Sequence, residues 1–288
     1  MSPVAAEMKI GVVGAGLMGA EIALVFALAG SDVLLNDRSA AAIEAALVRL
    51  GTLIDRGIAR GLYTEDQRTE ALGRIRPAPD LEAFADRDMV TEAVFESLEV
   101  KREVLAALDR ICAPGCILAS NTSTLPISTL SAALPPERRA HFLGTHYFSP
   151  VSRMPLVEVI PAFDTAPETV AWASALIEST GKTPITVKDV AGFAVNRMLH
   201  AMLIEAVRLV EEGVATPADL DTACRLGLGH PIGPFALMDN VTSSLCVQVQ
   251  EILQDAYGER FRPPPLLKQR VAAGYGGGRG KPGWLAKV

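Results

Sequence analysis

The chain alternates short apolar runs with longer amphipathic stretches. Its first run, Met8-Lys9-Ile10-Gly11-Val12-Val13, shows no polar–apolar alternation, as expected of a parallel strand buried on both faces. A helix is predicted from about Gly16 to Ala29, with Gly30 as its stop signal, and Val33 to Asn36 reads as a second strand. Residues 39–75 are helical in pattern. Alanine-rich periodicity runs from Ala40 to about Arg56, and a second helix from Thr64 to Leu72 has Thr64 as its N-cap. Two helices stand where a plain crossover needs one, which predicts an inserted helical hairpin. Further apolar runs lie at Met89–Phe95, Cys116–Ala119, Phe142–Thr145, Val157–Ile160 and Ile185–Val187, mostly separated by helical segments. This alternation predicts an α/β fold with a doubly wound, mostly parallel sheet. The last runs crowd together, so antiparallel strands are expected at that edge.

After Asp189 the pattern changes. Asn196–Glu212 reads as one long amphipathic helix with Met198, Leu199, Met202, Leu203, Ala206, Leu209 and Val210 on its apolar stripe. Gly213 ends it, and Thr216 with Pro217 opens the next helix. No strand run follows. The predicted organisation is a first domain over 1–188 and an all-helical C-terminal domain over 189–288. The glycine-rich stretch Gly274–Gly280 reads as a loose tail. Residues 10–30 approach the hydropathy of a membrane span, but four glycines before Gly30 and one charge, Glu21, interrupt them. A bilayer span wants ~20 apolar residues without such punctuation, so a buried strand, a glycine turn and a buried helix explain the stretch better.

Composition narrows the function classes. The 288 residues are 49% hydrophobic and 21% charged, enough for two packed cores, which excludes a disordered chain, a collagen and a small disulfide scaffold. The net charge of −6 supplies no obvious basic face for nucleic acid. Cys112 and Cys116 are separated by three residues, with no second pair and no nearby His to complete a metal site. No metal is therefore expected. Cys112, Cys116, Cys224 and Cys246 read as ordinary thiols of a reducing compartment, and the N-terminus has no secretory pattern, which together predict a cytoplasmic location.

The strongest motif is Gly14-Ala15-Gly16-Leu17-Met18-Gly19, placed between a strand and a helix as a dinucleotide-binding fingerprint requires. Gly14 permits the tight turn, Gly16 lets the backbone approach a pyrophosphate, and Gly19 lets helix and strand pack closely. Asp37 ends the second strand eighteen residues after Gly19. A carboxylate there can bind ribose hydroxyls and repel a 2′-phosphate, which favours NAD over NADP, although Arg38 beside it works against that preference. The alternative is a purely structural glycine turn. Polar groups then recur at predicted strand ends: Glu96, Asn121-Thr122-Ser123 and His146. Ligands of open α/β sheets bind beyond those ends, so these groups are candidates for one crevice, with a helix cap the bland alternative for residues 121–123. Glu158 lies in the apolar run Leu156-Val157-Glu158-Val159-Ile160, where a carboxylate is costly to bury unless paired. His146 is a candidate partner, and a His–carboxylate pair is a competent general base for an alcohol. Ser123 and Asn196 are neutral groups suited to holding an alcohol or carbonyl oxygen.

Taken together, these segments resemble the 3-hydroxyacyl-CoA dehydrogenase family, and the short, stand-alone 3-hydroxybutyryl-CoA branch in particular. The matching stretches include Glu92-Ala93-Val94-Phe95-Glu96 with Lys101, Ser120-Asn121-Thr122-Ser123, Gly144-Thr145-His146-Tyr147-Phe148, Gly192-Phe193-Ala194-Val195-Asn196-Arg197 and Pro231-Ile232-Gly233-Pro234-Phe235. The resemblance covers nearly the whole chain. It implies a Rossmann-type domain followed by a helical substrate and dimerisation domain, a homodimer, and NAD-dependent interconversion of an L-3-hydroxyacyl thioester and its 3-ketoacyl form. It further implies that His146 is the base, that Glu158 orients it, and that Ser123 and Asn196 hold the reacting oxygen. Glu96, Lys101, Asn121 and Ser123 would line the nicotinamide and ribose end. The helical insert would carry part of the CoA site, where Arg56 and Arg60 could meet phosphates, or else remain solvated helix-face charges. Ser149 stands where the family usually has a cofactor-touching Asn, and Thr145, Tyr147 and Ala191 are further departures. Related branches act on sugar acids, carnitine or carrier-bound acyl groups, so a non-CoA substrate is the alternative within the same chemistry. A catalytically silent NAD-binding protein is the alternative outside it.

Overall fold

A computed structural model describes residues 3–285, and the chain divides into two compact units that meet in sequence between Asp189 and Val190. The first unit opens with β1 (Lys9–Val13), α1 (Leu17–Leu28) and β2 (Asp32–Asn36). Helices α2 (Ala40–Ile58) and α3 (Glu65–Arg74) follow, then β3 (Ile75–Pro77) and β4 (Met89–Glu92). Next come α4 (Leu98–Ile111), β5 (Ile117–Ser120), the short α5 (Ile127–Ser131) and α6 (Pro136–Arg139), and β6 (Phe142–Tyr147). The unit closes with β7 (Leu156–Pro161), α7 (Pro167–Ser179) and β8 (Thr183–Thr186). The eight strands form one sheet in the order β3-β2-β1-β4-β5-β6-β7-β8. All neighbours are parallel except β6 and β7. The order reverses at β1, beside β4, which is the place where doubly wound sheets hold dinucleotides.

Helix α1 is apolar all round because it is covered on all sides. It packs on β1 and β2 and also against α2 and α3, and residues 19–27 are all buried. Ile43, Ala46, Leu50 and Ile54 of α2 join the same core as Ile22, Val25 and Phe26. The predicted hairpin insert is thus anchored on α1. Thr64 caps α3 in a full capping box with Gln67, which satisfies two otherwise orphaned N–H groups.

The structure corrects several strand boundaries. The run Met89–Phe95 stops being a strand at Glu92, whose Oε1 accepts the Val94 N–H at 2.7 Å and turns the chain. Phe95 is 77% exposed there, lining a cavity and not the sheet interior. Strand β6 extends through His146 to Tyr147 because its antiparallel partner β7 supplies Glu158 directly opposite His146. His146 is therefore within the strand, not beyond its end. Strand β3, with an arginine and a proline among three residues at the sheet edge, carries no apolar run and escapes the pattern.

The second unit comprises α8 (Val195–Glu211), α9 (Pro217–Gly227), α10 (Pro234–Val241), α11 (Ser243–Tyr257) and α12 (Pro265–Ala272). Leu203, Val207, Phe235, Met238 and Leu267 share its core with Trp284. Asp221 is buried and its two carboxylate oxygens accept the Phe235 and Ala236 N–H groups, which fixes the start of α10. The glycine-rich stretch is not a loose tail. Gly278 donates to the Asp239 carbonyl, and the Asp239 carboxylate accepts the Trp284 and Leu285 N–H groups at 2.7 and 2.9 Å. Gly277, at φ +72°, passes so close to the Asp239 backbone that a Cβ would clash with it. The glycines serve tight packing here.

Candidate active site

The dinucleotide fingerprint has the geometry its glycines predict. Gly14 sits at φ +105°, and a Cβ there would press on the Ala93 carbonyl oxygen at 2.6 Å. A Cβ at Gly19 would overlap the Gly14 carbonyl oxygen, whereas the position above Gly16 is open. Gly16 is the N-cap of α1 and no side chain caps it, so the first N–H groups of the helix are available to an anion. A cavity of about 510 Å³ begins at this turn and is lined by Gly14, Gly16, Leu17, Met18, Asp37 and Arg38, with Val94, Phe95 and Val104 opposite. An open glycine, an uncapped helix start and an acidic residue around one cavity fit a dinucleotide. Asp37 has a second duty: its Oδ2 accepts the Ala15 N–H at 2.8 Å, while Arg49 donates to the Ala15 carbonyl at 3.0 Å. The glycine turn is thus held from both sides.

Ser123, His146 and Glu158 line up at the carboxyl end of β5 and along β6 and β7. Ser123 Oγ lies 3.0 Å from His146 Nε2, and His146 Nδ1 lies 2.8 Å from Glu158 Oε2. Glu158 is fully buried and His146 nearly so, and the Phe148 ring packs edge-on against the imidazole at 4.6 Å. With the ring hydrogen on Nδ1 directed at Glu158, Nε2 is the acceptor facing Ser123.

Behind Ser123 lies a second polar network. Glu96 Oε1 accepts four hydrogen bonds, from the Thr122 and Thr124 hydroxyls and from the Ser123 and Thr124 N–H groups, at 2.5 to 3.0 Å. Its other oxygen lies 3.3 Å from Lys101 Nζ. Burial pushes the Glu96 carboxyl up, but the charge of Lys101 and the hydrogen bonds of Thr122 and Thr124 outweigh it and hold the group below the usual carboxylate range. Lys101 is 1% exposed, and its ammonium also donates to Glu92 Oε1 at 2.8 Å and to the Val94 carbonyl at 3.3 Å. Glu92, fully buried at the end of β4, accepts from Ser120 at 2.7 Å through its second oxygen.

Asn121 is not a helix cap. Its Oδ1 accepts the Tyr147 N–H at 2.9 Å and so ties the end of β5 to β6. The helix after it, α5, is capped instead by Asp189, which accepts from the Ile127 and Ser128 N–H groups. Ser149 precedes a cis proline in the exposed turn after β6. That turn is tied down by Glu21, which accepts the Ser152 N–H at 2.8 Å, and by Lys182, which donates to the Val151 and Met154 carbonyls. Arg56 and Arg60 are exposed at the end of α2 and in the turn beyond it. Asn196 is the second residue of α8, in the second unit.

Residues 9–190 match the family model for the 3-hydroxyacyl-CoA dehydrogenase NAD binding domain, and residues 192–287 match the model for that family's C-terminal domain. The chain belongs to the 3-hydroxyacyl-CoA dehydrogenase family. Among its relatives, the 3-hydroxybutyryl-CoA dehydrogenase of Bradyrhizobium diazoefficiens is 37% identical over 268 residues, covering 93% of this chain and 91% of that protein. The crystal structure of (S)-3-hydroxybutyryl-CoA dehydrogenase PaaH1 from Ralstonia eutropha superposes with a TM-score of 0.91 at 37% identity, covering 97% of this chain and 99% of that one. A more distant structure, that of 5-formyl-3-hydroxy-2-methylpyridine 4-carboxylic acid 5-dehydrogenase, described as an NAD+-dependent dismutase, gives a TM-score of 0.74 at 34% identity, over 92% of this chain and 86% of that one. In this member of the 3-hydroxyacyl-CoA dehydrogenase family, the glycine turn and its cavity therefore belong to an NAD-binding domain.

Sequence reasoning named Ser123, His146 and Glu158, which the structure brings into contact, but passed over Glu92 as a charged group in its own right. The signal was present. Glu92 lies within the run Met89–Phe95 as Glu158 lies within its own, and a cation, Lys101, follows nine residues on. No helix among the described residues is long and apolar enough to cross a membrane.

Proposed function

We propose that the protein oxidises short-chain L-3-hydroxyacyl-CoA to 3-ketoacyl-CoA, or catalyses the reverse, with His146 as general base. The observation that supports this most is the unbroken line Ser123 Oγ, His146 Nε2, His146 Nδ1, Glu158 Oε2, with contacts of 3.0 and 2.8 Å. Glu158 keeps the Nδ1 hydrogen in place, so Nε2 presents a lone pair to the substrate hydroxyl. As that proton moves to Nε2 the imidazole becomes an imidazolium, and the buried Glu158 carboxylate stabilises the charge where little water screens it. Ser123 holds the reacting oxygen, and Asn196 is assigned by family likeness as a second group for it. NAD, when bound, would supply the acceptor for the hydride of carbon 3. The residues that fit it are Gly14, Gly16, Leu17, Met18 and Gly19 at the pyrophosphate, Asp37 at the ribose, and Glu96, Asn121, Ser123 and Ser149 toward the nicotinamide end. Lys101 acts behind Glu96, since its ammonium is already shared among three protein oxygens. Arg56 and Arg60 are proposed as phosphate contacts for CoA, because both are exposed on the helical insert.

A second reading keeps the chemistry and changes the substrate to a free acid or a carrier-bound acyl group. It is favoured by the 34%-identical relative named for a formyl-substituted pyridine carboxylic acid, which carries no CoA. A steady-state panel of 3-hydroxyacyl-CoA esters of several lengths beside free hydroxy acids separates the two. Faster turnover of free acids than of 3-hydroxybutyryl-CoA would favour the second reading. Cofactor binding without reduction by any 3-hydroxy substrate would leave a silent NAD-binding protein. We also propose a homodimer built on the second unit, which exposes Met198, Val214, Leu226 and Leu228; light scattering tests it. A cytoplasmic location accords with four cysteines that are all free thiols.

A further inference from the structure

Two buried charges in the first unit have no part in the proton-transfer line as described. Glu92 is fully buried and Lys101 is 1% exposed, and they form an ion pair at 2.8 Å. Two apolar side chains would serve packing as well, because taking both ions out of water costs several kcal/mol per ion. The pair is not isolated, however. Lys101 reaches Glu96, Glu96 collects the Ser123 N–H at 3.0 Å, and Ser123 Oγ meets His146 Nε2 at 3.0 Å. From the other side, Glu92 is bonded to Ser120, its cross-strand neighbour on β5, three residues before Ser123. The residue that touches His146 is thus fixed by its own N–H and through the strand that carries it, and both routes converge on Glu92.

We propose that Glu92 is a positioning residue: through Lys101 and Glu96 it sets the place of Ser123 against the imidazole of His146. Glu96 alone could not do this. It is 38% exposed and accepts four donors on one oxygen, so it needs a fixed cation on the other to hold one pose. Lys101 is that cation, and Glu92 with the Val94 carbonyl is what holds Lys101 in place. The proposal rests on His146 being the base.

The test uses Glu92→Gln, which is isosteric: its carbonyl can still accept from Val94 and Lys101, and its amide can donate to Ser120. A Glu92→Gln/Lys101→Met double variant removes both charges together. Each is compared with wild type for turnover, melting temperature and, without cofactor, the rate at which diethyl pyrocarbonate modifies His146, read by mass spectrometry of the peptide. Glu92→Gln is expected to lower kcat by about 5- to 50-fold with KM little changed, as loss of an interaction that matters at the transition state would. The His146 modification rate rises, since a displaced Ser123 no longer covers Nε2. The double variant regains melting temperature but not kcat, because Glu96 then lacks the cation that holds its pose. A merely structural pair gives the opposite: turnover returns with stability. The proposal is overturned if Glu92→Gln keeps kcat within about twofold, if His146 reactivity is unchanged, or if the double variant restores turnover. Should Glu92→Gln fail to fold, the double variant decides by the same turnover and reactivity criteria. His146→Gln, run in parallel, separates the two ideas. Near-normal turnover in that variant defeats the base assignment itself, while its inactivity beside an active Glu92→Gln defeats only the positioning role.

Discussion

Replacing Glu158 by Gln tests the electrostatic part of the proton-transfer line with almost no change in shape. Glu158 is fully buried and its Oε2 lies 2.8 Å from His146 Nδ1. Before proton transfer this is a hydrogen bond from a neutral ring to a carboxylate. Afterwards it is an ion pair in a water-poor site. The substitution therefore removes stabilisation that grows along the reaction coordinate, and the loss falls mainly on kcat. A hydrogen bond to a charged group is worth ~1.5–3 kcal/mol, and 1.36 kcal/mol is tenfold in rate, so kcat should fall roughly 10- to 150-fold. The amide adds a further penalty when its NH2 faces Nδ1, since the ring then carries its hydrogen on Nε2 and cannot accept from substrate. The assay is NADH formation from 3-hydroxybutyryl-CoA under saturating cofactor, with circular dichroism and a thermal melt to confirm folding. A folded variant with kcat within about threefold of wild type would refute the assigned role of the carboxylate.

Further outcomes follow from the same structure. His146→Gln should lower turnover ~10²–10⁴-fold while NADH still binds by fluorescence titration; near-normal turnover removes His146 from the mechanism. Asp37→Ala should narrow the preference for NAD over NADP and weaken NAD itself, because Asp37 also holds the Ala15 N–H; an unchanged ratio of kcat/KM values would show that the carboxylate does not meet the ribose. His200 is buried in α8, and burial depresses its pKa from 6.5 to about 4. The folded form resists the proton that the unfolded chain accepts, so this stabilisation is intact above pH 6.5 and is lost as pH falls toward 4. The expected loss is about 2 kcal/mol between pH 7 and pH 5. Urea unfolding of wild type and His200→Phe at the two pH values measures it, and equal slopes in both proteins would contradict the prediction. Ile54→Ala, in the core shared by α1 and the insert, should cost ~2–5 kcal/mol; a loss under about 1 kcal/mol would mean the insert is not anchored there.

Much of the fold was legible because its signals are local. Residues 8–37 carry strand, glycine turn, helix, stop and acidic terminus in one uninterrupted stretch, and the structure follows them closely. Thr64 with Gln67 announces a helix start for the same reason: the capping groups are three residues apart. Where an apolar run had another use, pattern misled. Val94 and Phe95 look like strand but line a cavity, and Gly274–Gly280 looks like slack but packs on Asp239. Very short edge strands such as Ile75–Pro77 left no pattern at all.

Periodicity and turn chemistry act over about ten residues, and within that reach the amino-acid order by itself settled most of the elements, the nucleotide turn and one buried acid, Glu158, that had to find a partner. His146 was a candidate for Glu158, but whether each acid met its partner was decided by tertiary structure. His146 meets Glu158 only because β6 and β7 run antiparallel in one register. Glu96 gathers Thr122 to Thr124 only because β4 and β5 end side by side. Asp189 caps a helix sixty-two residues away. A buried charge is obliged by its solvation cost to be paired, but that cost does not depend on where along the chain the partner comes from.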